Sequence, residues 1–110
     1  MRRFLVPLVV VAVLGALAAT ALAATRSVKV GDNWFVRPGS PVTVAIRKGS
    51  SVKWAWVGRR PHNVTANAGP ARFHSRTQRR GSFTKRFTRR GLYTIVCTIH
   101  PGMEMKVRVK

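Results

Sequence analysis

Hydrophobic positions fall into two regimes along this chain. From Phe4 to Ala19 they run on without a charged residue. Beyond residue 26 they alternate with polar ones. Val42, Val44 and Ile46 form one such run, Val52, Trp54 and Trp56 another, then Tyr93, Ile95 and Cys97, and last Val107 and Val109. Phe83 and Phe87 share one face of a further run. A period of two puts alternate side chains on opposite faces of a strand, so each run predicts a half-buried β-strand. Turn residues punctuate the runs at Gly31-Asp32, Arg37 to Pro41, Lys48-Gly49-Ser50, Ala68-Gly69-Pro70, Arg80-Gly81 and Arg90-Gly91. No helical period is sustained after the first regime. The pattern predicts an all-β fold, a Greek-key β-sandwich of about seven to eight strands. Residues 67–81 are poor in apolar side chains and rich in arginine, and read as a long surface loop. Trp54 and Trp56 read as core, because they alternate with polar positions on a strand. Gly91-Leu92-Tyr93 has the look of a tyrosine corner, in which a phenol hydroxyl holds a turn between the sheets.

The first regime reads as an export signal. Arg2 and Arg3 give it a positive start, and Ala21-Leu22-Ala23 is a small-x-small cleavage signal. The expected organisation is a signal peptide over residues 1–23 and one domain over 24–110. An uncleaved anchor is the alternative, since the apolar run can be stretched to about 20 residues, enough to span a bilayer. Either way the basic start stays inside and the domain is exported, to a periplasmic, extracellular or cell-envelope location. No cysteine lies near the cleavage signal, which excludes a bacterial lipoprotein anchor.

Charge changes the picture of what the domain meets. The chain carries 21 Lys+Arg against two acids, Asp32 and Glu104; without Arg2 and Arg3 the 19 remaining cations leave a net charge of +17. The cations are spread along the chain. Such a field steers association with anionic surfaces: an acidic redox protein, anionic envelope polymers or lipid headgroups. Specific nucleic-acid binding is not expected, because the compartment is wrong and no recognition-helix or zinc-finger pattern occurs.

The domain has a single cysteine and therefore no internal disulfide, although its compartment is oxidising. A lone thiol there must be protected or used. Cys97 opens the run Cys97-Thr98-Ile99-His100-Pro101-Gly102-Met103, and His62 lies upstream in Pro61-His62-Asn63-Val64. Two imidazoles, one thiolate and a weak axial thioether are the ligands of a blue-copper electron-transfer centre. Thiolate and thioether favour Cu(I) and imidazole accepts both oxidation states. The candidate metal ligands are His62, Cys97, His100 and Met103, and the cofactor is one copper ion. His62 is placed on one strand; a tight loop at the end of another brings the other three to the same point from across the sandwich. His74, flanked by Arg72 and Arg76, reads as a surface residue. Met105 shares strand parity with Val107 and Val109 and reads as core.

The segment from Tyr93 to Met103, followed by Lys106-Val107-Arg108-Val109, resembles the C-terminal ligand loop and last strand of cupredoxins, the blue type 1 copper proteins. The likeness is greatest to their amicyanin-like subgroup, which has two residues between the second His and the axial Met. Pro61 to Val64 resembles the strand that supplies the first His. The resemblance spans residues 27–110 and is thinnest between 67 and 82. It implies that Asn63 hydrogen-bonds to the loop just after the cysteine, here at Thr98. It also leaves Met105 in contention for the axial place, since that position would match a longer, plastocyanin-like spacing. Amicyanin-like chains usually carry Gly there.

These features predict an exported mononuclear type 1 copper protein that shuttles single electrons and is not an enzyme. The alternative is a copper carrier or buffer using the same ligands without redox duty. A basic polymer-binding domain with a vestigial site is a third reading. A multicopper oxidase is disfavoured, because three histidines cannot build a second, oxygen-reducing centre. A thiol hydrolase is disfavoured because Cys97 and His100 are both committed to the metal and no orienting acid is evident.

Overall fold

A computed structural model describes residues 23–39 and 41–110. The export-signal segment lies outside the described residues, except for Ala23 at its end. The described chain folds into nine strands: β1 (Thr25–Gly31), β2 (Trp34–Phe35), β3 (Thr43–Ile46), β4 (Ser51–Trp56), β5 (Thr65–Ala68), β6 (Phe73–His74), β7 (Ser82–Arg86), β8 (Gly91–Val96) and β9 (Glu104–Val109). One sheet has the order β2-β1-β4-β7 and the other β3-β9-β8-β5-β6. Both are mixed: β1 pairs with β4 in parallel, as does β3 with β9, and the remaining pairings are antiparallel.

Alternation decides which face of each strand turns inward. Val28 and Val30 of β1, Val52, Trp54 and Trp56 of β4, Tyr93 and Ile95 of β8, and Met105, Val107 and Val109 of β9 are all buried in one core between the sheets. The partners they alternate with face outward or lie at the edge of burial. Trp54 is fully enclosed, 6.0 to 6.3 Å from the rings of Phe73, Phe83 and Phe87. The tyrosine corner is present: Tyr93 is buried and its hydroxyl donates to Arg89 O at 2.8 Å. Burial pushes its phenol pKa up.

Two short strands, β2 and β6, escape the sequence pattern because two residues carry no period. β6 also corrects the reading of 67–81 as a surface loop. Phe73 packs against the core, Ser75 is buried, and Gln78 forms an isolated bridge with His62. Arginine is the segment's commonest residue, but its backbone is paired at Ala68, Phe73, His74, Ser75 and Gln78.

Strand direction gives the sandwich two poles. β1, β4 and β8 run toward one end, where Asp32, Val57 and Cys97 follow them; β9 starts there, after Met103. At the other end a cleft is lined by Arg26, Arg47, Lys48, Arg90 and Lys110. A strand of six residues at about 3.3 Å each separates the poles by about 20 Å.

Candidate metal centre

Cys97 follows β8 in the same parity as Tyr93 and Ile95, which buries it at the end of the core. The chain then reverses through seven residues and closes on itself. Cys97 N–H donates to Met103 O at 3.1 Å, His100 N–H to Cys97 O at 3.4 Å, and Met103 N–H to His100 O at 3.1 Å. Pro101 fixes one φ in this loop, and Gly102 adopts φ +84°, the left-handed region that favours glycine. Cys97 and Met103 are thereby held at the two ends of one closed turn.

His62 enters beside the neighbouring strand of the same sheet, three residues before β5, which pairs with β8, and not from across the sandwich as the sequence reading has it. It lies in an isolated bridge just before β5 and not within a named strand, a correction to the sequence reading. Its N–H and O each pair with the backbone of Gln78 at 3.0 Å, and Trp56 Nε1–H donates to the same carbonyl at 3.2 Å. The ring is fully buried.

The three donors converge. His62 Nδ1 and His100 Nδ1 are 3.1 Å apart, and Cys97 Sγ is 3.5 Å from His100 Nδ1 and 4.0 Å from His62 Nδ1. A trigonal metal with bonds of about 2.0–2.1 Å to nitrogen and about 2.3 Å to sulfur needs separations of about 3.5 and 3.8 Å between its donors. Each observed distance lies within about half an ångström of that requirement, so the donor set fits one ion of the softness that thiolate and imidazole share. His62, Cys97 and His100 form the one such metal-competent cluster among the described residues.

The surroundings hold this triangle. Asn63 Oδ1 accepts from Thr98 N–H at 3.1 Å, and its Nδ2 donates to the hydroxyls of Thr98 at 2.8 Å and Thr77 at 3.1 Å. The Asn63 to Thr98 tie that the resemblance implied is therefore present, and it joins the two ligand segments directly. Asn63 N–H also points at Cys97 Sγ, at 3.5 Å. Val64 N–H donates to the buried Ser75 hydroxyl at 2.8 Å, so the supposed surface loop forms a wall of the site.

The two methionines part company. Met105 is fully buried in β9, and its Sδ accepts the Trp54 indole N–H at 3.4 Å. Met103 is buried at the end of the ligand loop. His74 is exposed, with Nδ1 3.0 Å from Ser75 O, and takes no part in the cluster.

Asp32 is the residue that sequence reasoning missed. The sequence pattern shows it only as part of the Gly31-Asp32 turn, which the structure places between β1 and β2. Its Oδ1 lies 3.0 Å from His62 Nε2 and also accepts from Arg60 N–H at 2.9 Å and Arg59 N–H at 3.1 Å. The His62 hydrogen bond first, then those two backbone donors, hold its carboxyl well below the usual carboxylate range. Its one trace in the sequence is rarity, since only two acids occur in the chain.

Known proteins identify the family and share the fold. The family model for copper binding proteins of the plastocyanin/azurin family matches residues 26–110. Among solved structures, a reduced amicyanin variant is 25% identical with a TM-score of 0.67, covering 84% of this chain and 88% of that one. Another amicyanin variant, also reduced, is 27% identical with a TM-score of 0.66, covering 78% and 82%. A copper-containing nitrite reductase from Thermus scotoductus SA-01 shares the fold at 22% identity and a TM-score of 0.66; the match covers 78% of this chain and 22% of that one.

Proposed function

The chain belongs to the plastocyanin/azurin family of copper-binding proteins, and on that premise we propose that it is an exported, mononuclear type 1 copper protein that shuttles single electrons between redox partners and catalyses no reaction of its own. The observation that carries this reading is the triangle of His62 Nδ1, Cys97 Sγ and His100 Nδ1, fixed by bonds that do not depend on a metal. Met103 is the axial ligand in this reading. Its loop position supports that assignment, as does the engagement of the Met105 thioether by Trp54.

Copper, when bound, supplies a one-electron couple between Cu(I) and Cu(II). The residues supply a site that does not rearrange. His62, Cys97 and Met103 are buried and exclude water, while the ligand loop and Asn63 keep their spacing. His100 is the half-exposed member, surrounded by exposed Pro101 and Gly102 and by Ile99, which is 47% exposed. Electrons leave through its edge. Arg59 and Arg60 are exposed just ahead of His62 and draw in an acidic redox protein, with association that slows as salt rises. Anionic envelope polymers or lipid headgroups are further surfaces that the positive field suits.

Copper loading followed by visible and electron paramagnetic resonance spectra tests the reading. An intense thiolate-to-copper band that bleaches reversibly on one-electron reduction is expected. Copper binding without that band or that reversibility would favour a carrier instead.

A further inference from the structure

We infer that Asp32 is the positioning residue of the metal centre: its carboxylate fixes the orientation and tautomer of His62 and biases the loaded site toward its oxidised state. This inference rests on the copper reading above.

An ionised carboxylate only accepts hydrogen bonds, so the 3.0 Å contact requires His62 Nε2 to carry the proton. In the neutral ring that leaves Nδ1 with its lone pair directed at the shared point. The carboxylate is itself fixed independently of the imidazole. Arg59 N–H reaches both of its oxygens at 3.1 Å, and Arg60 N–H reaches Oδ1 at 2.9 Å. The turn carrying these donors wraps closely round the carboxylate, because residue 58 is glycine. A Cβ there would run into Oδ1 and lie 2.7 Å from the carboxyl carbon. Position thus passes from the backbone at 58–60 to Asp32, and from Asp32 to a buried ring with no solvent to reorient in. Carboxylates that receive the outer N–H of a metal-bound histidine set its tautomer and raise its basicity. A fixed negative charge at that distance also stabilises the more positive oxidation state.

Two substitutions separate geometry from charge. Asp32→Asn keeps an acceptor oxygen and nearly the same shape. It should leave the hyperfine pattern of the copper-loaded protein unchanged and shift the one-electron equilibrium toward Cu(I) by about tenfold, or ~59 mV. Asp32→Ala removes both contributions. It should weaken copper binding by about 10–100-fold and alter the hyperfine pattern. In the copper-free protein, nitrogen chemical shifts of His62 should report the Nε2–H tautomer in the wild type and a mixture in Asp32→Ala. If both variants only lower the melting temperature, with potential and tautomer unmoved, Asp32 is merely a tie between loops and the inference fails. If Asp32→Ala does not fold, the potential of Asp32→Asn decides. A wild-type protein that binds copper without a blue band would overturn the copper reading, while the tautomer measurement would still decide the role of Asp32.

Discussion

The two poles of the sandwich use their polar side chains to opposite ends. At the metal pole, polar groups are tied to one another. Asn63 bridges both ligand segments, Gln78 and Trp56 hold the His62 backbone, and Asp32 gathers three donors on one oxygen. Both acids of the chain, Asp32 and Glu104, are at this end. At the far pole, Arg26, Arg47, Lys48, Arg90 and Lys110 line one cleft, and no acidic side chain lines it with them. One pole is a fixed geometry and the other a source of field. Charge is cheap to place anywhere on a surface, but a buried triangle of donors needs every neighbouring polar group satisfied.

The largest effect expected from breaking this contrast is at Cys97. Cys97→Ser removes the thiolate and should abolish the visible charge-transfer band; a blue Cys97→Ser protein would end the type 1 assignment. His62→Ala and His100→Ala should each weaken copper binding and open a coordination position to solvent, measured by copper titration. A smaller change is expected at the axial place. Met103→Leu should keep the colour and raise the reduction potential, because a weak donor to Cu(II) is lost.

The comparison is sharpened by reversing charge at each pole. Arg59→Glu with Arg60→Glu should lower the potential, since positive charge near the site favours its reduced form. Arg47→Glu with Arg90→Glu makes the same change in net charge about 20 Å away. Across about two and a half screening lengths of about 8 Å it should move the potential much less. Equal shifts from the two pairs, measured by voltammetry at physiological salt, would show that the poles are not electrostatically distinct. The smallest effect is expected in the core beneath the site. Met105→Leu conserves volume and should cost less than about 1.5 kcal/mol in denaturant unfolding, leaving the spectrum alone. A potential that moves with Met105 and not with Met103 would assign the longer spacing to the loop.

What could be read from the sequence follows the same division. The strands were legible because alternation over four or more residues is a strong signal, and Val52, Trp54 and Trp56 or Val107 and Val109 face inward as their parity requires. Cys97, His100 and Met103 were legible because they lie within one short loop. The segment around Phe73, Ser75 and Gln78 was not, because its contribution to the site runs largely through the backbone. The pairing of Gln78 with His62 leaves no mark on side-chain pattern. Asp32 was hidden for a different reason. Aspartate in a turn is ordinary, and its bond to His62 spans thirty residues with no local spacing to betray it.

The order in which the chain comes together follows from where the ladders lie. β8 and β9 pair along their whole length across one short loop, from Gly91↔Val109 to Val96↔Glu104. The parallel pairings of β1 with β4 and of β3 with β9 join segments far apart in sequence. Local pairings close before distant ones, because loop closure costs less entropy for a short loop. The hairpin bearing Cys97, His100 and Met103 can therefore form while the sheets are still apart. His62 reaches the other donors when β5 pairs with β8 in the same sheet, and Asp32, from the opposite sheet, comes up behind it only when the two sheets meet. Complete coordination then reports that β5 has joined β8, and copper added during refolding should distinguish the hairpin alone from the completed ligand sheet by the number of imidazoles it finds.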